Sequence, residues 1–135
     1  MAGGGYLQPR NLVAPEPAIH LLGISTVFGN APAAVTDRTT RALVAPLASE
    51  GFRAPPVYPG RDKPLEGNGT DTATPAEVTL RAALADGPLV MAAPGLLTNI
   101  ATVARELPEL VKHVQQLFAV MGTVRVQMAL FTKRL

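Results

Sequence analysis

Strand-like and helix-like segments alternate along this chain, and that alternation is what most narrows the folds it can adopt. Residues 19–28 form a mostly apolar run, rich in β-branched side chains and closed by Gly29-Asn30, which is typical of a strand buried on both faces. Further apolar runs follow at residues 89–93 and 117–122, with helical patterns between them. The sequence therefore predicts an α/β fold with an open, mostly parallel sheet and flanking helices.

The first helical pattern covers residues 33–49, where Val35, Leu43 and Leu47 fall on one stripe of an amphipathic helix. Pro46 interrupts this pattern. A proline at this position removes an amide donor and crowds the carbonyl one turn earlier, so we expect the helix to kink or to end early.

Two later segments carry helix signals that are mainly local. Thr74-Pro75-Ala76-Glu77 has the pattern of a capping box with proline at the first helical position, and Gly87-Pro88 ends the helix it begins. Residues 100–107 repeat apolar side chains at helical spacing, and Pro108 starts a further helical turn.

Length and composition limit the classes of protein that remain. The 135 residues suffice for one domain, which we place at residues 19–122, with an irregular segment at 1–18 and a divergent tail at 123–135. The net charge of +2 and the 4% aromatic content argue against a nucleic acid partner. The chain has no cysteine, which excludes disulfides and thiolate metal sites. We find neither a secretory signal nor an apolar stretch that could span a membrane, and we expect a cytoplasmic protein without a membrane partner.

General catalytic motifs are not found. His20 and His113 have no partners at metal-ligand spacing, so we interpret both as structural. Ser25 falls inside a predicted strand and is no candidate nucleophile. In a parallel sheet, ligands bind beyond the carboxyl ends of the strands, which here are Gly29-Asn30, residues 94–96 and Met121-Gly122. The alternative is that these are plain strand-to-helix turns with no ligand.

The residues at these three turns indicate a specific family. Residues 21–30 read LLGISTVFGN, residues 94–101 read PGLLTNIA and residues 120–122 read VMG. In order and spacing, these segments resemble motifs of the inosine-uridine preferring nucleoside hydrolase family. The resemblance extends over roughly residues 15–122.

The resemblance implies an N-glycosidase that separates ribose from the base of a nucleoside. In that family a bound calcium holds the sugar hydroxyls and a water, and an aspartate takes the proton of that water as an oxocarbenium-like state forms. Carried over to this chain, the resemblance assigns the main-chain carbonyl of Pro94 as a calcium ligand. It assigns Asn30 and Met121 to contacts with the substrate's sugar.

The chain also departs from the family in ways that affect the chemistry. No aspartate precedes Asp37, so the family's DxDxxxDD motif has no counterpart, nor has the strand that carries it next to residues 19–28. The family's later sugar contacts, base-side histidine and last calcium aspartate have no positions after Gly122. We therefore assign no catalytic residue, and we expect that this chain alone does not bind calcium.

Two readings of function follow. In the first, the chain is an incomplete nucleoside hydrolase family protein of nucleoside metabolism that is weakly active or inactive alone. In the alternative, it is a non-enzymatic α/β module that binds a nucleoside or ribose weakly, or pairs with another chain, including a second copy of itself, through an open sheet edge. A truncated or frame-shifted gene would also account for the two ends of the sequence.

Overall fold

The computed structural model of the chain describes residues 19–66 and 72–120, so the segments at 1–18 and 123–135 and the candidate residue Met121 lie outside the described residues. Strands and helices alternate within these ranges, which confirms the α/β class. The elements in chain order are β1 (Ile24–Ser25), α1 (Ala33–Ser49), β2 (Val57–Tyr58), α2 (Pro75–Asp86), β3 (Leu89–Ala93), α3 (Thr98–Glu106), a 3₁₀ helix (Pro108–His113) and β4 (Val114–Ala119).

The strands form two parallel pairs and not the single open sheet that we expected. β1 pairs with β2, with Ile24 opposite Val57, and β3 pairs with β4, with Met91 opposite Leu117. No strand ladder joins the two pairs within the described residues. The sheet is therefore parallel as predicted but divided in two.

The prediction of a long strand at residues 19–28, buried on both faces, is wrong. The ladder of β1 is two residues long, and Ile19 and Leu22 are 68% and 47% exposed. An apolar run is buried as a central strand only when it has neighbours on both sides. β1 has a strand neighbour on one side among the described residues, so the first half of the run stays in contact with solvent.

α1 covers the predicted residues, but of the predicted stripe Leu47 alone is buried. Val44 and Leu47 are buried and pack with Val57 of β2, whereas Val35 and Leu43 are exposed. Leu43 and Val44 are neighbours on the helix, so a rotation of about 100° decides which of them meets the sheet. The sequence pattern allowed either rotation.

Pro46 does not end α1 early: the helix continues to Ser49, and the amide of Glu50 still donates to Pro46 O at 3.1 Å. The helix instead ends through Gly51, which has a positive φ of 85°. The amide of Phe52 donates to Leu47 O at 2.9 Å, and that of Gly51 donates to Ala48 O at 3.3 Å. These two bonds form a Schellman motif, and they bring Phe52 against the core that contains Leu47.

The later helices follow their local signals. The capping box of α2 is present: the amide of Glu77 donates to Thr74 Oγ1 at 3.3 Å, and the amide of Thr74 donates to Glu77 Oε2 at 3.1 Å. Pro108 starts the 3₁₀ helix as predicted. β4 begins three residues earlier than the predicted strand at 117–122, because the chain leaves the 3₁₀ helix at His113 and Val114 pairs with Leu89.

The core position of Leu47 leads to a stability prediction within one helix. Leu47→Ala should lower the free energy of unfolding by about 2–4 kcal/mol, because a cavity replaces a side chain that is 3% exposed. Leu43→Ala, at a position that is 54% exposed, should cost less than about 1 kcal/mol. Urea unfolding followed by circular dichroism measures both, and equal losses would contradict the assigned rotation of α1.

Candidate functional site

Two of the three predicted site residues lie in turns that meet at one edge of the fold. Asn30 follows β1 and Pro94 follows β3, and both are exposed. A Cβ placed on Gly29 would lie 3.7 Å from Leu96 Cγ, and one placed on Gly95 would lie 3.7 Å from Val27 Cγ1. The turns that carry Asn30 and Pro94 are therefore adjacent, as expected at the carboxyl ends of parallel strands.

Asn99 is a residue of this region that the sequence analysis did not single out. It is the second residue of α3 and is 4% exposed. Its Nδ2 donates to Thr26 O at 2.8 Å, and its Oδ1 accepts from the amide of Arg61 at 2.9 Å. The sequence does place this polar side chain in the first turn of a helix, just after the turn that ends β3. It does not reveal the partners of the side chain, which lie 73 and 38 residues away in sequence.

A buried ion pair lies next to Asn99. Arg61 Nε donates to Glu77 Oε1 at 2.5 Å, and Arg61 Nη2 donates to Glu77 Oε2 at 3.0 Å. The Glu77 side chain is fully buried and that of Arg61 is 11% exposed. The same carboxylate accepts the capping-box bond from the Thr74 amide, so Glu77 joins the start of α2 to the segment after β2. Such a forked pair holds both charges only while both partners are present.

The carboxylate of Asp37 is hydrogen-bonded to Thr26, the residue that follows β1. Thr26 Oγ1 donates to Asp37 Oδ1 at 3.5 Å, the outer limit for a hydrogen bond. Arg41 Nε binds the same carboxylate at 2.8 Å, and this hydrogen bond is the main cause that raises the pKa of Arg41. Arg41 also donates to Val57 O at 3.0 Å, so the pair fastens α1 to β2.

The donor set of the described residues does not fit calcium. Calcium in proteins takes about six to eight oxygen ligands, usually with several carboxylates among them. In residues 19–66 and 72–120, no three His, Cys, Asp or Glu side chains come together as a metal-binding group. The Pro94 carbonyl would be a single neutral oxygen. His113 is held by Leu84 O, which lies 2.5 Å from its Nδ1, in keeping with a structural role.

The arrangement defines a class of protein: an α/β protein with parallel strands and a polar turn at the carboxyl end of β1, adjacent to the turn after β3. The family model described as inosine-uridine preferring nucleoside hydrolase matches residues 10–128. This chain belongs to that family, which confirms the resemblance stated from the sequence.

A relative with a curated name is the uridine nucleosidase of Saccharomyces cerevisiae. The two sequences are 35% identical over an alignment of 134 residues, which takes in 79% of this chain and 38% of the yeast protein. The chain thus spans well under half the length of this relative. No helix among the described residues is long and apolar enough to cross a membrane.

The buried ion pair allows a matched comparison of two glutamates. Glu77→Gln should lower the free energy of unfolding by about 3–5 kcal/mol, because it leaves the Arg61 guanidinium buried opposite a neutral amide. Glu106→Gln removes the partner of Arg81 in a pair whose side chains are 32% and 28% exposed, and should cost less than about 1 kcal/mol. Both losses are measured by urea unfolding at neutral pH. If Glu77→Gln lowers the free energy of unfolding no more than Glu106→Gln does, the Arg61–Glu77 pair does not stabilise the fold in the way proposed.

Proposed function

We propose that this chain carries the sugar-side turns of a nucleoside N-ribohydrolase, and that the 135 residues alone bind a ribonucleoside weakly and release little or no ribose. The observation that carries the proposal is that the Asn30 and Pro94 turns lie against each other through Gly29 and Leu96. Family membership supports a nucleoside as the ligand, and the name of the yeast relative makes uridine the first compound to test.

The sugar end of a nucleoside suits the chemistry of these turns. A ribose presents hydroxyl groups that both donate and accept hydrogen bonds, and the exposed amide of Asn30 can complement them with its own donor and acceptor. The main-chain carbonyl of Pro94, in the neighbouring turn, offers an acceptor from an exposed residue. Neither turn has the carboxylate that would activate water.

Hydrolysis of an N-glycosidic bond needs such a carboxylate as a base for the attacking water. Residues 24–30 and 94–99 contain no acidic side chain. Three carboxylates elsewhere in the described chain, those of Asp37, Glu77 and Glu106, are each held by an arginine. A single neutral carbonyl does not hold calcium, so the metal cannot supply the activated water to this chain alone.

A ribose-release assay tests the proposal directly. With uridine or inosine and added calcium, a reducing-sugar assay should detect little or no release above the rate without protein. Calcium-dependent release would contradict the assignment of no catalytic residue.

Uridine titration by calorimetry tests the binding half of the proposal. We expect saturable binding that Asn30→Ala weakens about fivefold to tenfold, the worth of one hydrogen bond of about 1 kcal/mol. Gln115→Ala, at an exposed position of β4, should leave the affinity unchanged. Absence of saturable binding by the unaltered chain would reject the sugar-side role.

The second candidate function is pairing with another chain through β1. The amides of Ile24 and Thr26 donate to Pro56 O and Tyr58 O, so those of Gly23, Ser25 and Val27 point to the opposite edge. No strand pairs with that edge within the described residues. Ile19, Leu21 and Leu22, just before β1, are exposed hydrophobic side chains, and an apolar unpaired edge invites a further strand.

Proline substitutions test the roles of the two edges of β1 separately. Ser25→Pro removes an amide on the free edge and should abolish concentration-dependent self-association, measured by light scattering, while the far-ultraviolet circular dichroism is retained. Thr26→Pro removes the donor to Tyr58 O and should destabilise the fold itself. A protein that stays monomeric at all concentrations, or that associates equally well as the Ser25→Pro variant, would reject self-pairing through β1.

A further inference from the structure

The ladder between β1 and the segment around β2 contains one irregular step. The amides of Ile24 and Thr26 donate to Pro56 O at 2.9 Å and Tyr58 O at 3.0 Å, so each strand advances by two residues. The next donor, Phe28, skips Gly60 and binds Arg61 O at 3.0 Å. The second segment therefore has one residue more than the first, which is the pattern of a β-bulge.

The side chain of Asn99 fills this bulge. Nδ2 donates to Thr26 O at 2.8 Å and Oδ1 accepts from the Arg61 amide at 2.9 Å, so one side-chain amide binds a carbonyl of the first segment and an amide of the second, next to the extra residue. A peptide group likewise presents one donor and one acceptor, and an asparagine side chain can take its place. Gly60 leaves the space for it, because a Cβ there would overlap Thr26 O and the Asn99 amide.

The neighbours of the bulge hold it in place. The amide of Ala76, in the first turn of α2, donates to Pro59 O at 3.0 Å. The Arg61 side chain is fixed by Glu77 of the same helix. The bulge is thus held by the first turns of two helices, and Asn99 supplies the contact from α3.

We propose that Asn99 is a positioning residue, whose amide replaces a peptide group in the ladder and thereby fixes the turn that presents Asn30. Thr26 O, which it holds, lies four residues before Asn30. Asn99 also binds the amide of Arg61, and the carbonyl of Arg61 accepts from the amide of Phe28, two residues before Asn30. Asn99 lies five residues after Pro94, so the same side chain ties the Pro94 turn to the Asn30 turn.

The chemistry of the position requires an amide. An aspartate would place a second oxygen against Thr26 O, where a donor is needed, and repulsion between the two oxygens would push the side chain away from both Thr26 O and the Arg61 amide. An alanine would remove both hydrogen bonds, and the buried Thr26 carbonyl would lose its side-chain donor. The effect should be local, since Thr26 and Phe28 connect directly to the Asn30 turn.

Nuclear magnetic resonance of the full chain tests this without a ligand. In the unaltered protein, the Nδ2 proton of Asn99 that donates to Thr26 O should exchange with solvent at least tenfold more slowly than the side-chain amide protons of exposed Gln116. In Asn99→Asp, the amide protection of Phe28 and Arg61 should fall at least tenfold, and the backbone resonances of Gly29 and Asn30 should shift. The amide protection within α2 should fall by a clearly smaller factor than that of Phe28 and Arg61.

Gln116→Glu makes the same amide-to-carboxylate change at an exposed residue of β4 and should leave the Phe28 and Arg61 amides unaffected. Fast exchange of the Asn99 side-chain amide in the unaltered protein would overturn the proposal, even if the variants fail to fold. A loss of protection in Asn99→Asp that is equal at Phe28, Arg61 and α2 would also overturn it, because the residue would then act only on global stability.

The effect of Asn99 on ligand binding rests on the proposed function. Titration with uridine distinguishes a failure of the positioning role from a failure of the proposed function. If uridine shifts the resonances of the Asn30 turn in the unaltered protein, the affinity should fall at least tenfold in Asn99→Asp. An affinity unchanged by Asn99→Asp would overturn the positioning role. Absence of any shift with uridine would reject the sugar-side function, whereas the exchange measurements would still decide the role of Asn99.

Discussion

The backbone of β1 is hydrogen-bonded along one edge within the described residues, and much of the rest of the structure depends on this. The amides of Ile24, Thr26 and Phe28, in β1 and just after it, donate to Pro56, Tyr58 and Arg61, and no strand among the described residues pairs with the opposite edge of β1. A parallel strand in the middle of a sheet normally has both edges paired and both faces covered. With one edge paired, the ladder is short, the preceding apolar run is exposed, and β1–β2 and β3–β4 remain separate pairs.

Side chains replace the missing ladder as the connection between the two halves. Asn99 reaches from α3 to the backbone of Thr26 and Arg61, and the ion pair of Arg61 with Glu77 extends the connection to α2. These groups are buried, so each must be paired, and that requirement fixes the geometry more strictly than apolar packing does. The turns at Asn30 and Pro94 are held near each other by a polar junction, not by sheet hydrogen bonds.

Features encoded within a few residues could be predicted from the sequence. The extent of the α1 pattern, the capping box at Thr74 and Glu77, and the restart at Pro108 depend on neighbours in the chain and are found, although α1 continues through Pro46, where we expected a kink or an early end. Features that depend on residues far away in the sequence could not be predicted. The face that α1 buries depends on Val57, and the exposure of Ile19 depends on a strand neighbour that no local pattern reports.

The same distinction between local and distant determinants applies to the candidate site. The turns at Asn30 and Pro94 could be placed from motif resemblance, and the structure brings them together. Asn99 lies in the 94–101 segment that carries the resemblance, but its role could not be predicted, because its two backbone partners are far away in sequence and the role needs a bulge at Gly60 that no sequence pattern reveals. Family membership is established, whereas the weak or absent activity of these 135 residues remains a proposal.

Hydrogen exchange along β1 measures its one-sided pairing most directly. The account predicts that the amides of Ile24, Thr26 and Phe28 are protected at least tenfold more than those of Gly23, Ser25 and Val27. An alternating pattern would establish that one edge of β1 is paired and the other is open. At a concentration where the chain is monomeric, equal protection of all six amides would mean that a second strand of the same chain occupies the open edge, and it would contradict the division of the fold into two separate strand pairs.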